Sequence, residues 1–165
     1  MKHTIALISV VFAASLGLAR AADVPGADHR FVKQATEASA AQVAEARIAL
    51  KNSTRPDVRD LARRIIAEHT EASDQLNRMA LAQGIPIANA PNAADQRKIA
   101  ELSTLSGDEF DKAYLDNAMA DHIGTMKLFS QELEEGKIPQ LRSFAKAALP
   151  KLRDSRRIVE TLPKH

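Results

Sequence analysis

Apolar residues recur at steps of three and four through most of the chain, and in four stretches they fall on one face of a helix. Between Asp108 and Gly136 that face is Phe110, Tyr114, Ala118, His122, Met126, Phe129 and Leu133, a seam whose one ionisable group is His122. An earlier stretch repeats the design: Val58, Leu61, Ile65, His69, Leu76 and Met79 share a face, and Ala67-Glu68-His69 echoes Ala120-Asp121-His122. Two long helices therefore each turn one histidine toward a common core. From Phe31 to Lys51 there is no Gly or Pro. There Phe31, Ala35, Ala38, Gln42, Glu45 and Ala49 lie along one side, with Val43, Ala46 and Leu50 on the adjoining flank. Either flank fits an inward position; if it is the first, Gln42 and Glu45 face the core one turn apart. The last stretch opens at Pro139, with the seam Leu141, Phe144, Ala148, Leu152, Ser155, Val159 and Leu162. Pro150 lies inside it and is expected to bend the helix, because its ring removes one ladder bond and crowds the carbonyl a turn back.

The punctuation between these stretches predicts the topology. Asp28 is placed to cap the first helix, and Ser53 or Thr54 to cap the second, with Pro56 in its first turn where a missing amide costs nothing. Gly84 is a left-handed terminator near Gln83. Residues 85–92 read as a turn-rich connection, a short helix follows from Ala93 to Leu105, and Ser106-Gly107 starts the long third helix of the bundle. Tight connections after Lys51 and after Gly136 make two antiparallel hairpins. The link between the hairpins, with a helix of its own, is long enough to travel the length of a bundle. The expected fold is all-α: a ferritin-like four-helix bundle over residues 31–162 with one long crossover containing a short helix.

Ahead of the bundle, Met1-Lys2-His3 is a short basic start, Thr4 to Leu18 is uncharged and apolar, and Ala19-Arg20-Ala21 supplies the small residues of a signal peptidase site. Residues 1–21 are thus expected to be a signal peptide and 22–30 a short linker, which places the mature protein in the periplasm. The apolar run is about fifteen residues against the ~20 that span a bilayer, so no stable membrane insertion is expected after cleavage. The chain has no cysteine, hence no disulfide and no lipid-modified amino terminus. Of the 23 basic and 21 acidic side chains in the 165 residues, removing Lys2 and Arg20 with the leader leaves 21 of each sign. A formally neutral surface argues against nucleic acid as a partner.

For chemistry, the two core histidines are the sharpest feature. As a structural pair they would be satisfied by hydrogen bonds, with the Tyr114 hydroxyl two turns from His122 as one source. As ligands, His69, His122 and Glu45 would form a candidate site for a divalent metal, and Met119 and Met126 beside His122 would favour copper. The di-iron pattern of Glu-x-x-His on two helices is missing, since Ile66 and Met119 stand where the glutamates would be. Nucleophile motifs and glycine-rich phosphate loops are missing as well, so no enzyme activity and no organic cofactor are expected. Arg59, Arg63, Arg64, Glu68, Glu71 and Asp74 read as the solvated face of the second helix.

Four groups of residues carry a family resemblance. They are Phe31-Val32-Lys33-Gln34-Ala35; Val58-Arg59 through Glu68-His69-Thr70; Phe110 through Leu115 with Asp121-His122 and Leu128-Phe129; and Leu141 through Ala145 with Leu149-Pro150-Lys151-Leu152. In order and spacing the chain resembles the exported bacterial family called domain of unknown function 4142, from Phe31 to about Leu162. The resemblance implies a ferritin-like bundle and brings no established activity. Relatives carry Glu where this chain has Gln42, His at the positions of His69 and His122, and His, five residues after the proline, where this chain has Ser155. Two of four inward polar groups are kept, and Glu45, one turn from Gln42, is placed to compensate. The expectation is an exported binding protein of the envelope or of stress responses, without catalysis; the alternative is a metal-binding bundle built on the core histidines.

Overall fold

Alanine, leucine and long charged residues favour helix, and apart from Gly124 and Pro150 the breakers among the described residues stand at helix ends and in the connections. The computed structural model describes residues 26–163; the leader and its cleavage site lie outside them. Five helices follow in order: α1 (Gly26–Asn52), α2 (Pro56–Ala82), α3 (Ala93–Ser103), α4 (Gly107–Glu135) and α5 (Pro139–Thr161). No strand occurs among the described residues. Pro56 and Pro139 occupy first turns, and Asn92 caps α3 by accepting from the amides of Ala94 and Asp95. Gly84 and Gly107 take the left-handed backbone that ends α2 and begins α4, with φ of 68° and 60°. The α5 helix continues through Pro150.

Several local expectations are corrected. The first helix starts at Gly26 and takes in residues 26–30 of the expected linker. Asp28 is not its cap: buried inside the first turn, it accepts from the backbone amides of Lys137 and Ile138 and ties the start of α1 to the α4–α5 turn. Neither Ser53 nor Thr54 caps α2, whose first flanking residue is Arg55; Ser53 Oγ instead accepts from the Arg55 amide at 3.2 Å. The charged face of α2 is not purely solvated. Arg59 donates to the carbonyls of Leu50 and Ser53 and so closes the end of α1.

The end-to-end pairings give the topology. Phe31 near the start of α1 meets Phe129 late in α4, while Asn52 at the end of α1 donates to the Leu105 carbonyl just before α4; these two helices are antiparallel. Arg55 at the start of α2 donates to the Pro163 carbonyl beyond the end of α5, so α2 and α5 are antiparallel too. Around the bundle the order is α2, α1, α4, α5, with α2 and α5 the most loosely packed neighbours. The segment from Gln83 to Ser106 therefore runs from one end of the bundle to the other, with α3 lying against α1 and α4. This is the connectivity of two hairpins joined by one long crossover.

The interior is divided in two. At one end Ala49, Val58, Leu61, Ile65, Leu102, Phe110, Leu115 and Val159 pack together. At the other, Phe31, Val32, Leu76, Ile85, Phe129, Ile138, Leu141 and Leu149 do. Burying each large side chain contributes about 1.5–3 kcal/mol.

Candidate functional site

Along every long helix the sequence passes from one apolar cluster to the other through a polar residue at mid-bundle, and all of these side chains are buried: Gln42 and Glu45 on α1, His69 on α2, His122 and Thr125 on α4, Ser155 on α5. The first flank of α1 faces inward. A slow drift of the helix face explains which neighbours join: on α4 the buried set shifts from Met126 and Leu133 to Thr125 and Glu132, because 3.6 residues per turn does not repeat on sevens.

The two predicted histidines do meet. Their rings lie edge to face, with centroids 6.1 Å apart. His122 is fully buried, and its Nδ1–H donates to the Ala118 carbonyl at 2.7 Å. That bond places a proton on Nδ1 and leaves Nε2 buried with no partner. Tyr114 is not the partner of His122: it stacks on Phe110 at 6.2 Å, its hydroxyl buried and unbonded. His69 Nδ1 lies 3.2 Å from Ser39 Oγ. Burial, and to a lesser degree the neighbouring His122, push the pKa of His69 down to about 4, so its imidazole is neutral at physiological pH. On α1, Gln42 Nε2 donates to Thr125 Oγ1 at 3.2 Å and Oε1 is buried without a partner. Ser155 donates to Glu68 Oε2 at 2.6 Å, and Glu68 is held in turn by Arg64 Nε at 2.7 Å. Glu68 is thus a bridge from α2 to α5 rather than part of a solvated face.

Glu45, the third residue of the sequence-predicted site, turns elsewhere. Lys98 of α3 reaches into the bundle, with its Nζ 2.6 Å from Asp121 and 3.1 Å from Glu45. Burial and the charge of Asp121 push the pKa of Glu45 up to about 7 against the pull of Lys98. Asp121 is raised as well, chiefly by burial. Burial works against the Lys98 ammonium, yet its pairs with Asp121 and Glu45 hold its pKa above the usual lysine value. His69, His122 and Glu45 do not form a trio set to hold a metal ion, nor does any other group of three His, Asp or Glu among the described residues. Lys98 and Asp121 were not legible as a site, because a lysine on a short crossover helix has no periodic relation to α1. Glu132 was missed for another reason, its place in an acidic run. Buried at the far end of α4, it has its pKa pushed up to about 8 by burial and by Asp28 beside it.

Where α2 and α5 stand loosely, a cavity of about 130 Å³ opens onto the polar layer. Its floor is Ser39, Gln42, His69 and Thr125, its walls are Leu76, Phe129, Phe144 and Leu152, and Glu68, Glu71 and Lys151 stand at its mouth. Phe144, Ala148 and Leu152, which the α5 seam assigned to the core, line this space half-buried, while Ala145 and Leu149 take the fully buried positions. Small residues at Ala35, Ala38, Ala72 and Ala148 leave the volume unfilled.

Comparison with known proteins follows the fold. A DUF305 fragment from Deinococcus radiodurans is similar in structure with a TM-score of 0.73 at 21% identity, over 83% of this chain and 95% of that one. A candidate secreted DUF305 protein from Streptomyces coelicolor matches with a TM-score of 0.67 at 18% identity, over 81% and 88%. A conserved hypothetical protein from Mycobacterium tuberculosis matches with 0.64 at 18% identity, over 83% and 93%. At these identities the likeness shows a shared helical-bundle fold. Among curated proteins none matches the sequence. The model of the domain of unknown function DUF4142 matches residues 13–162, nearly the whole length, and the chain belongs to that family.

Proposed function

We propose that this protein is an exported, non-catalytic binding protein of the cell envelope that takes small ligands into the cavity between α1, α2, α4 and α5. The observation that carries the reading is that cavity, set where the polar layer meets an apolar wall. Binding sites of this kind are concave, mostly apolar and served by a few convergent polar groups. Catalysis is less well supported. Ser39 and His69 resemble a nucleophile and its base, but a histidine with a pKa near 4 is a weak base at neutral pH. Among the described residues no carboxylate bonds its other ring nitrogen to orient it. Export is supported by the leader-like residues 1–21 and by the secretion suggested for the Streptomyces neighbour. The two hairpins and their long crossover support grouping the fold with ferritin-like bundles.

The test is a fragment screen by thermal shift and by amide chemical shifts. Ligands that bind should raise Tm by mass action and perturb residues around Ala72 and Ala148, and Ala148→Phe, which fills the space, should abolish both effects. Shifts that persist in Ala148→Phe, or a screen with no hit, would overturn the reading.

A metal ion is the second reading, favoured by the buried, unpartnered Nε2 of His122 beside the His69 ring. The donors at hand are the two imidazoles and the Gln42 carbonyl, a set without the carboxylate that Glu45 was expected to supply. Copper, zinc, iron and manganese at equimolar concentration are expected to move Tm by no more than about a degree. A larger shift that is lost in both His69→Ala and His122→Ala would establish the metal reading instead.

A further inference from the structure

The cavity has three properties that together describe its guest. The first is size: at about 130 Å³ it is close to the ~150 Å³ dry cavity that accepts a benzene ring in another protein. One ring or a branched chain of similar bulk fits.

The second is the character of the wall. Phe129 and Phe144 stand with ring centroids 5.7 Å apart and tilted by 43°, next to Leu76 and Leu152. A third ring packing edge to face against such a pair gains contact that an aliphatic chain does not.

The third is the Gln42 amide, which belongs to a side chain only 4% exposed. Thr125 satisfies one end of it at 3.2 Å, and the other end is buried without a partner. Oxygen and nitrogen of an amide exchange places on a flip, so the free end is an acceptor in one orientation and a donor in the other. A hydroxyl both donates and accepts and meets the amide either way, whereas an ether or an ammonium meets it only one way. The floor offers no cation to an anionic guest: His69 is held neutral by its burial, and the mouth sets Glu68 and Glu71 against the single amine of Lys151. Carrying a carboxylate past them would strip its water without a buried counter-charge.

Building on the binding reading above, we propose that the cavity is a site for an uncharged, hydroxyl-bearing single aromatic ring, with the ring packed against the Phe129–Phe144 pair and the hydroxyl turned toward the Gln42 amide. The probes are phenol, toluene of nearly the same shape, and benzoate, titrated into the purified chain by calorimetry and by amide chemical shifts. Phenol is expected to bind saturably, about tenfold more tightly than toluene, the ratio one buried hydrogen bond supplies, with benzoate weaker than both. In Gln42→Leu phenol should fall to the toluene level while toluene holds or gains. The phenol-to-toluene ratio is measured on the wild-type chain, so it decides even where Gln42→Leu does not fold. Equal affinity for phenol and toluene, or benzoate binding best, overturns the hydroxyl assignment and leaves the cavity reading in place. Saturable binding of none of the three overturns the assignment, and the cavity reading falls only if the broader screen is empty too.

Discussion

At the scale of single residues, burial has shifted ionisation in opposite senses, and each shift makes a pH prediction. His69 has a folded pKa near 4 against 6.5 in the open chain, so the folded state binds fewer protons. Stability from this group is whole above pH 6.5 and is lost as pH falls toward 4. Replacing it by leucine is expected to flatten that acid limb of a Tm-against-pH curve, at a mild to moderate cost at neutral pH; an unchanged limb would mean that the ring titrates normally. Glu132 runs the other way. Its folded pKa is about 8 against 4.5 unfolded, so stability falls as pH rises from 4.5 to 8. Glu132→Gln, which keeps the shape and cannot ionise, should raise stability at pH 8.5 by about 1–2 kcal/mol, well below the full ~1.4 kcal/mol per pKa unit because solvent screens a group at the end of the helix, and should leave it nearly unchanged at pH 4.5. Loss of stability at both pH values would show that the carboxyl makes a bond the amide cannot. Neither shift was visible in the residues themselves. His69 was legible as inward-facing from its seam, but Glu132 stands in Glu132-Leu133-Glu134-Glu135, and only the rotation of α4 separates the buried glutamate from its exposed neighbours.

At the scale of elements, one charged side chain ties the crossover helix to the bundle. Lys98 is the ion-paired link from α3 to both α1 and α4, through Glu45 and Asp121. Removing one partner of a buried charge cluster leaves the others uncompensated, so Lys98→Met should destabilise the fold by about 2–4 kcal/mol, and Glu45→Gln/Asp121→Asn on top of it should recover part of that loss. Hydrogen exchange should accelerate first in Ala93–Ser103; unchanged exchange there would show that Leu102, not Lys98, holds the segment. A second element-level constraint sits where α4 ends. A Cβ on Gly136 would lie 2.3 Å from Glu132 Oε1 and 2.5 Å from the Glu132 carbonyl. Gly136 is required there for close approach rather than for a left-handed turn, its φ being −60°. Gly136→Ala is expected to lower Tm by several degrees, and a neutral outcome would mean that the turn shifts at little cost.

At the scale of the whole molecule, the bundle brings six polar side chains from its four long helices to the middle, between two apolar clusters, and a loosened α2–α5 edge opens a cavity onto that level. Its place in the cell rests on the amino-terminal residues: the envelope form should begin at Ala22 or within a residue or two by N-terminal sequencing, and an intact Met1 on membrane-bound material would refute export with cleavage. What the chain determines alone is what local physics decides. Periodicity of 3.6, proline in first turns and glycine at left-handed ends depend on neighbours in sequence, so the helices, their ends within a few residues, the two inward histidines and the length of the crossover were all readable. What only the tertiary structure decided depends on how helices rotate and how far apart they stand. That Gln42 and Glu45 both face inward, that Lys98 claims Glu45 from the expected metal site, that Glu68 leans across to Ser155, and that four alanines leave a cavity beside His69 are relations between residues distant in sequence. No period within one helix encodes the gap between two.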